Sequence, residues 1–172
     1  MSGKIKILFD SYHLYHLPQF EPLIDLLGVD KRFDIFHSTS NEIPSQEYEL
    51  CSSILRKKPG VFIEAKTEKI RQEKIKKLDL NFFICGWSRY DIDKYVTRET
   101  IVGMIYHGIG IKPSYWLDNH QRLDLRFVEG EYRVNQLQQN GIDTRLELTG
   151  FIKLDPIFQK NKIDINNIKQ KY

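Results

Sequence analysis

The sequence predicts an α/β domain built on a doubly wound, mainly parallel sheet of the Rossmann-like type. Three observations carry that expectation. Seven short apolar runs alternate with longer stretches of helical period, which is the pattern of βα units. The run Asn81-Phe82-Phe83-Ile84-Cys85 is apolar from Phe82 onward, as a strand covered on both faces is. Polar residues and glycines gather directly after the runs, where an open α/β sheet holds its ligands.

The elements follow in order. Lys4–Asp10 reads as the first strand, and Ser11–His16 as a polar, aromatic loop. A helix opens between Pro18 and Pro22, because a first helical turn tolerates proline, and Phe20, Leu23, Ile24, Leu26 and Leu27 keep the helical period. Gly28 is its stop signal. Phe33–His37 is the second strand, and a helix from about Ser45 to Lys57 is broken by Pro59-Gly60. Val61–Glu64 is the third strand, followed by a charged helix from about Thr67 to Leu78. Asn81–Cys85, Ile101–Tyr106 and Leu125–Val128 are the fourth, fifth and sixth strands. A helix over Glu131–Asn140 ends at Gly141, and Arg145–Leu148 is the last strand.

A chain of 172 residues fits one domain, expected over residues 1–158, with a polar tail or truncated linker over 159–172. Its 41% hydrophobic and 28% charged residues are ordinary for a globular protein. A net charge of +3 is too small to imply nucleic acid, and no nucleic-acid partner is expected. The basic runs Arg56-Lys57-Lys58 and Lys74-Ile75-Lys76-Lys77 read as solvated helix faces, with attraction to anionic lipid or a polyanionic substrate as the minority reading. Cys51 and Cys85 have no metal-ligand spacing, and Cys85 reads as a small buried hydrophobe. The first residues form a strand-like run in place of an apolar signal segment, and no apolar stretch reaches membrane-spanning length. The expected location is the cytoplasm, with any membrane contact peripheral.

Candidate chemistry sits in the loops after the strands. The sharpest feature is Tyr106-His107-Gly108-Ile109-Gly110-Ile111-Lys112-Pro113. A histidine directly off a buried strand has a pKa suited to removing a proton from a substrate hydroxyl near neutral pH. Lys112, five residues on, is placed to bind a phosphate nearby. The alternative is a histidine satisfied by a loop carbonyl, with glycines that serve only a turn. The loop is neither a P-loop nor a full Gly-x-Gly-x-x-Gly pattern. His13 and His16, three apart, read as acceptor-loop residues, since no carboxylate or cysteine joins them at metal-ligand spacing. No metal and no cofactor is expected. Asp10, at a strand end, caps the loop backbone or meets substrate. Trp87, Tyr115 and Trp116 are either edge packing or a platform for a sugar or polyol.

At these residues the chain resembles the CDP-glycerol glycerophosphotransferase family, which builds teichoic-acid-like cell-wall polymers. The likeness rests on Tyr106–Lys112, on Gly150-Phe151-Ile152-Lys153-Leu154-Asp155, and on the strand and turn from Arg126 to Tyr132 between them. It spans about residues 4–158 and implies one half of a GT-B architecture, the N-terminal acceptor-binding domain. By the resemblance, His107 is the general base that activates an acceptor hydroxyl for attack on the donor's phosphorus. Gly108, Lys112, His13, His16, Lys153 and Asp155 are then acceptor-binding residues. The implied partners are a CDP-polyol donor, bound through a second domain, and a phosphorylated polyol or glycan acceptor. A GT-B glycosyltransferase, a sugar-nucleotide 2-epimerase half and a non-catalytic glycan- or partner-binding module remain as alternatives. Fold alone does not separate them.

Overall fold

A computed structural model of the chain describes residues 3–110, 112–117 and 122–158. Seven strands form one sheet: β1 (Ile5–Asp10), β2 (Phe33–Ser38), β3 (Val61–Phe62), β4 (Phe82–Cys85), β5 (Ile101–Ile105), β6 (Leu125–Val128) and β7 (Arg145–Leu148). Their order is β3-β2-β1-β4-β5-β6-β7 and every pairing is parallel. The doubly wound, Rossmann-like fold is therefore present. Around the sheet run α1 (Leu17–Leu27), α2 (Ser45–Leu55), α3 (Glu68–Lys76), α4 (Ser114–Leu117), α5 (Glu131–Gln139) and α6 (Asp155–Phe158).

Alternation along the strands separates two cores. Ile7, Phe9, Ile84 and Ile105 pack with Leu17, Phe20, Ile24, Cys51 and Leu55 of α1 and α2. Leu8, Phe83, Cys85 and Met104 face the other way, onto Ile75, Ile92, Tyr95 and Leu137. Both cysteines are free and buried, and the Cys85 thiol donates weakly to the Gly103 carbonyl. Among the described residues, no helix is long and apolar enough to cross a membrane.

The elements differ from expectation in instructive places. The helix α1 opens at Leu17, and Pro22 lies inside it. A proline there removes a hydrogen bond and crowds the preceding turn, at a cost of about 3 kcal/mol. Complete burial of Phe20 and Ile24 outweighs that cost. Gly28 closes the helix with φ −65°, so left-handed backbone is not what requires it. A Cβ there would stand 2.3 Å from Pro59 Cβ, so close approach is what requires it. The third strand is two residues, not four. A single 3₁₀ turn, Ile92–Lys94, links β4 to β5 where a βα unit would place a helix. The helix α3 starts as expected, with Thr67 Oγ1 accepting from Ile70 N–H. The expected tail, 159–172, lies outside the described residues.

Strand order reverses between β1 and β4. The chain leaves β1 toward β2 and β3, and leaves β4 toward β5, so the loops after these two strands diverge and open a crevice.

Candidate functional site

That crevice holds most of the residues the sequence singled out. The strand β5 ends at Ile105, Tyr106 is buried, and His107 emerges at the carboxyl edge. Its Nδ1 lies 3.0 Å from the carbonyl of Gly86, after β4. A carbonyl only accepts, so Nδ1 carries the proton and Nε2 presents a lone pair. The Tyr115 hydroxyl, 3.0 Å away on α4, donates to that lone pair. Burial lowers the His107 pKa; the Gly86 carbonyl opposes this, and the charges of Lys112 and Lys153 reinforce it. The ring is thus neutral at pH 7 with its tautomer fixed.

Beside it opens a cavity of about 180 Å³, lined by His107, Trp87, Arg89, Lys112, Tyr115 and Arg126 among others. Ser88 and Ser114 add hydroxyls, and Tyr15 closes one side. The described lining contains three cations and no carboxylate, which favours an anionic guest. Arg126 is 1% exposed and donates to the Tyr106 hydroxyl at 2.8 Å.

Glycines make the geometry possible. A Cβ on Gly110 would lie 2.3 Å from Tyr115 Cε2, and one on Gly108 would lie 3.2 Å from the Tyr115 hydroxyl. These two glycines admit the tyrosine that meets His107. Gly86 does the same for His16, whose Cγ would stand 2.9 Å from an added Cβ.

His16 is fully buried, 5.1 Å from His107 between ring centroids. The His13 backbone N–H points at its Nδ1 across 3.3 Å, so Nε2 carries the proton, and among the described residues that nitrogen has no partner. Burial, with help from His107 and His13, pushes its pKa down to about 2. His13 stacks on Tyr15 and meets Glu47 Oε1 at 3.2 Å. Glu47 also accepts from Leu14 N–H, which fixes the loop. Among the described residues, no group of three His, Cys, Asp or Glu is placed to hold a metal.

The structure thus brings His107, Gly108, Lys112, His16 and His13 together, with the charge of Lys153 felt at His107. Asp155 stands apart, lining an apolar groove on the sheet face. Sequence reasoning missed the pairing of Tyr115 with His107. It also missed the brace beneath the crevice. Asp10 is fully buried and accepts from Ser38 Oγ at 2.8 Å, Arg71 Nη1 at 2.5 Å and Tyr90 Oη at 2.6 Å. Arg71, also fully buried, pairs with Glu68 as well. Asp10 thus holds a guanidinium and the far end of the loop that carries Gly86, Trp87 and Arg89. A signal existed: Arg71 falls on the apolar stripe of its helix, four residues before Ile75 and seven before Leu78. No protein-family model matches the chain, and no curated protein matches it.

Proposed function

We propose that this chain is the acceptor-binding half of a CDP-glycerol glycerophosphotransferase, or of a relative using another CDP-linked polyol, in cell-surface polymer synthesis. The supporting observation is His107, held by a carbonyl at Nδ1 with a basic Nε2 beside a cation-lined cavity. In the proposed reaction an acceptor hydroxyl replaces the Tyr115 hydroxyl at Nε2 and gives up its proton there. Its oxygen forms a bond to the donor's glycerol-bearing phosphorus, and the bond to CMP breaks with the electron pair leaving on CMP. Lys112 and Arg89 hold an acceptor phosphate. The donor is carried by a second domain, because phosphoryl transfer depends on positioning both reactants. The site lies in the cytoplasm, at the inner membrane face where such acceptors are presented.

Titration with sn-glycerol 3-phosphate, followed through Trp87 fluorescence, tests the acceptor site. Saturable binding that glycerol does not reproduce is expected, and Lys112→Ala should weaken it about 10-fold, the value of one charge-assisted hydrogen bond. Equal responses to glycerol and its phosphate would end the reading. With a donor domain supplied in trans, His107→Ala should lower CDP-glycerol turnover by about 10²- to 10⁴-fold without unfolding the chain. Turnover by the 172-residue chain alone would contradict the two-domain requirement.

One observation favours a second reading. The Tyr115 hydroxyl already satisfies Nε2, as it would in a non-catalytic module that recognises phosphorylated glycans. In that case His107→Ala leaves cellular function intact while Lys112→Ala does not.

A further inference from the structure

Three histidines meet at the carboxyl edge of the sheet, and their Nε2 atoms differ. His107 Nε2 accepts from Tyr115, and His16 Nε2 is sealed inside. His13 Nε2 makes no hydrogen bond with a described residue, and its side chain is 23% exposed.

The His13 ring is set before any ligand arrives. Its Nδ1 meets Glu47 Oε1 at 3.2 Å, and the same oxygen accepts from Leu14 N–H at 2.9 Å. A carboxylate only accepts, so Nδ1 carries a proton and the neutral ring presents a lone pair at Nε2. Aromatic rings frame it: Tyr15 stacks on it at 4.9 Å between centroids, with Tyr12 at 5.2 Å and Trp87 at 5.4 Å. The Tyr12 hydroxyl is itself held by Glu42 at 2.5 Å.

Tyr15 and Trp87 also line the cavity beside His107. The Tyr15 ring stands 4.9 Å from His13 and 5.1 Å from His107, so the two imidazoles lie within about 10 Å of each other. Their surroundings differ in charge. The cavity carries Lys112, Arg89 and Arg126 and suits an anion, whereas Glu47 beside His13 repels one. A hydroxyl suits the second place. It donates to a neutral imidazole and accepts from a charged one, while aromatic faces pack against the carbon skeleton of a polyol. A ligand that meets both places is longer than glycerol phosphate, and a six-carbon polyol phosphate has the reach.

We propose that His13, positioned by Glu47, recognises an uncharged hydroxyl of the acceptor, so that the site selects a six-carbon phosphorylated polyol or sugar over glycerol phosphate. This selectivity rests on the proposed acceptor site and on no step of the proposed reaction.

Calorimetric titration of the full chain with sorbitol 6-phosphate, sn-glycerol 3-phosphate and inorganic phosphate tests it. Sorbitol 6-phosphate should bind about 10-fold more tightly than glycerol 3-phosphate, the value of one further hydrogen bond. His13→Phe keeps an aromatic ring against Tyr15 but has no ring nitrogen, and should bring the two affinities within about 2-fold of each other. In the unmodified chain, the nitrogen NMR signal of His13 Nε2 should move with sorbitol 6-phosphate and not with inorganic phosphate. Equal affinities for the two polyol phosphates would overturn the proposal and leave the phosphate site standing. A preference that survives His13→Phe, or an Nε2 signal that stays fixed with sorbitol 6-phosphate, would overturn it too. Binding by none of the three ligands would end the acceptor reading along with it.

Discussion

Acid should destabilise this fold steeply between pH 6 and pH 5, because two histidines are locked neutral inside it. His16 and His37 are both fully buried. Burial pushes their pKa values down to about 2 and about 4 respectively. A depressed folded value means the stabilisation is complete above the unfolded value near 6.5, and is lost as pH falls toward the folded one. At pH 5 both rings are protonated in the unfolded chain and neutral in the folded chain. Each therefore costs about 2 kcal/mol, 1.5 pH units at roughly 1.4 kcal/mol per unit. Together they remove about 4 kcal/mol from a total stability of the order of 5–15 kcal/mol. Urea unfolding, measured at half-unit steps from pH 8 to pH 5, should give a flat region and then a slope near 2.7 kcal/mol per pH unit. His37 Nε2 bonds the Pro59 carbonyl, a role that a glutamine amide can also fill, so His37→Gln should fold and lower the slope by about 1.4 kcal/mol per pH unit. A slope below about 1 kcal/mol per unit, or one unchanged in His37→Gln, would refute the reasoning.

Three further outcomes follow from the site's supports. Arg71→Met strands the buried Asp10 carboxylate and should cost about 3–5 kcal/mol, seen as a Tm at least 6 °C lower; a change under 2 °C would show the bridge is not needed. Gly86→Ala drives a Cβ into the His16 ring and should cost about 1–3 kcal/mol while abolishing the glycerol 3-phosphate response; a normal response would show that the Gly86 carbonyl does not set His107. Thr67→Ala removes the cap of α3 and should cost about 1 kcal/mol in urea unfolding, with binding unchanged.

The sequence carried the sheet well because its signals are local. Continuous apolar runs such as Phe82–Cys85 leave a parallel strand as the economical reading, and each run became a strand of the sheet. The site was legible where a strand end delivers a residue, as with His107 after Ile105. What stayed hidden is long-range. In the sequence Tyr115 reads as either edge packing or a platform for a sugar or polyol, and only the fold of α4 puts its hydroxyl on His107. Asp155 lies close in sequence to Lys153 but faces the groove on the sheet. Neighbouring residues in a turn often point to different surfaces, and no local pattern records which.

Two arginines explain how a site made of loops keeps its geometry. From α3, Arg71 grips Asp10, which in turn holds Tyr90 and the loop carrying the Gly86 carbonyl. From α5, Arg133 is 3% exposed and donates to the Gly110 carbonyl at 2.9 Å. Its guanidinium also lies over the rings of Tyr106, Tyr115 and Trp116, and Glu129 balances its charge. Arg133 therefore sets the loop that positions Tyr115, as Arg71 sets the loop that positions Gly86. One brace fixes what His107 Nδ1 donates to, and the other fixes what Nε2 accepts from. Both arginines occupy apolar-stripe positions on their helices, where a charge survives only with its partners in place. Between two braced loops, the Tyr115 side chain is the group that the proposed reaction would require to yield before an acceptor hydroxyl could reach Nε2. Tyr115 stands on the short helix α4, outside the sheet.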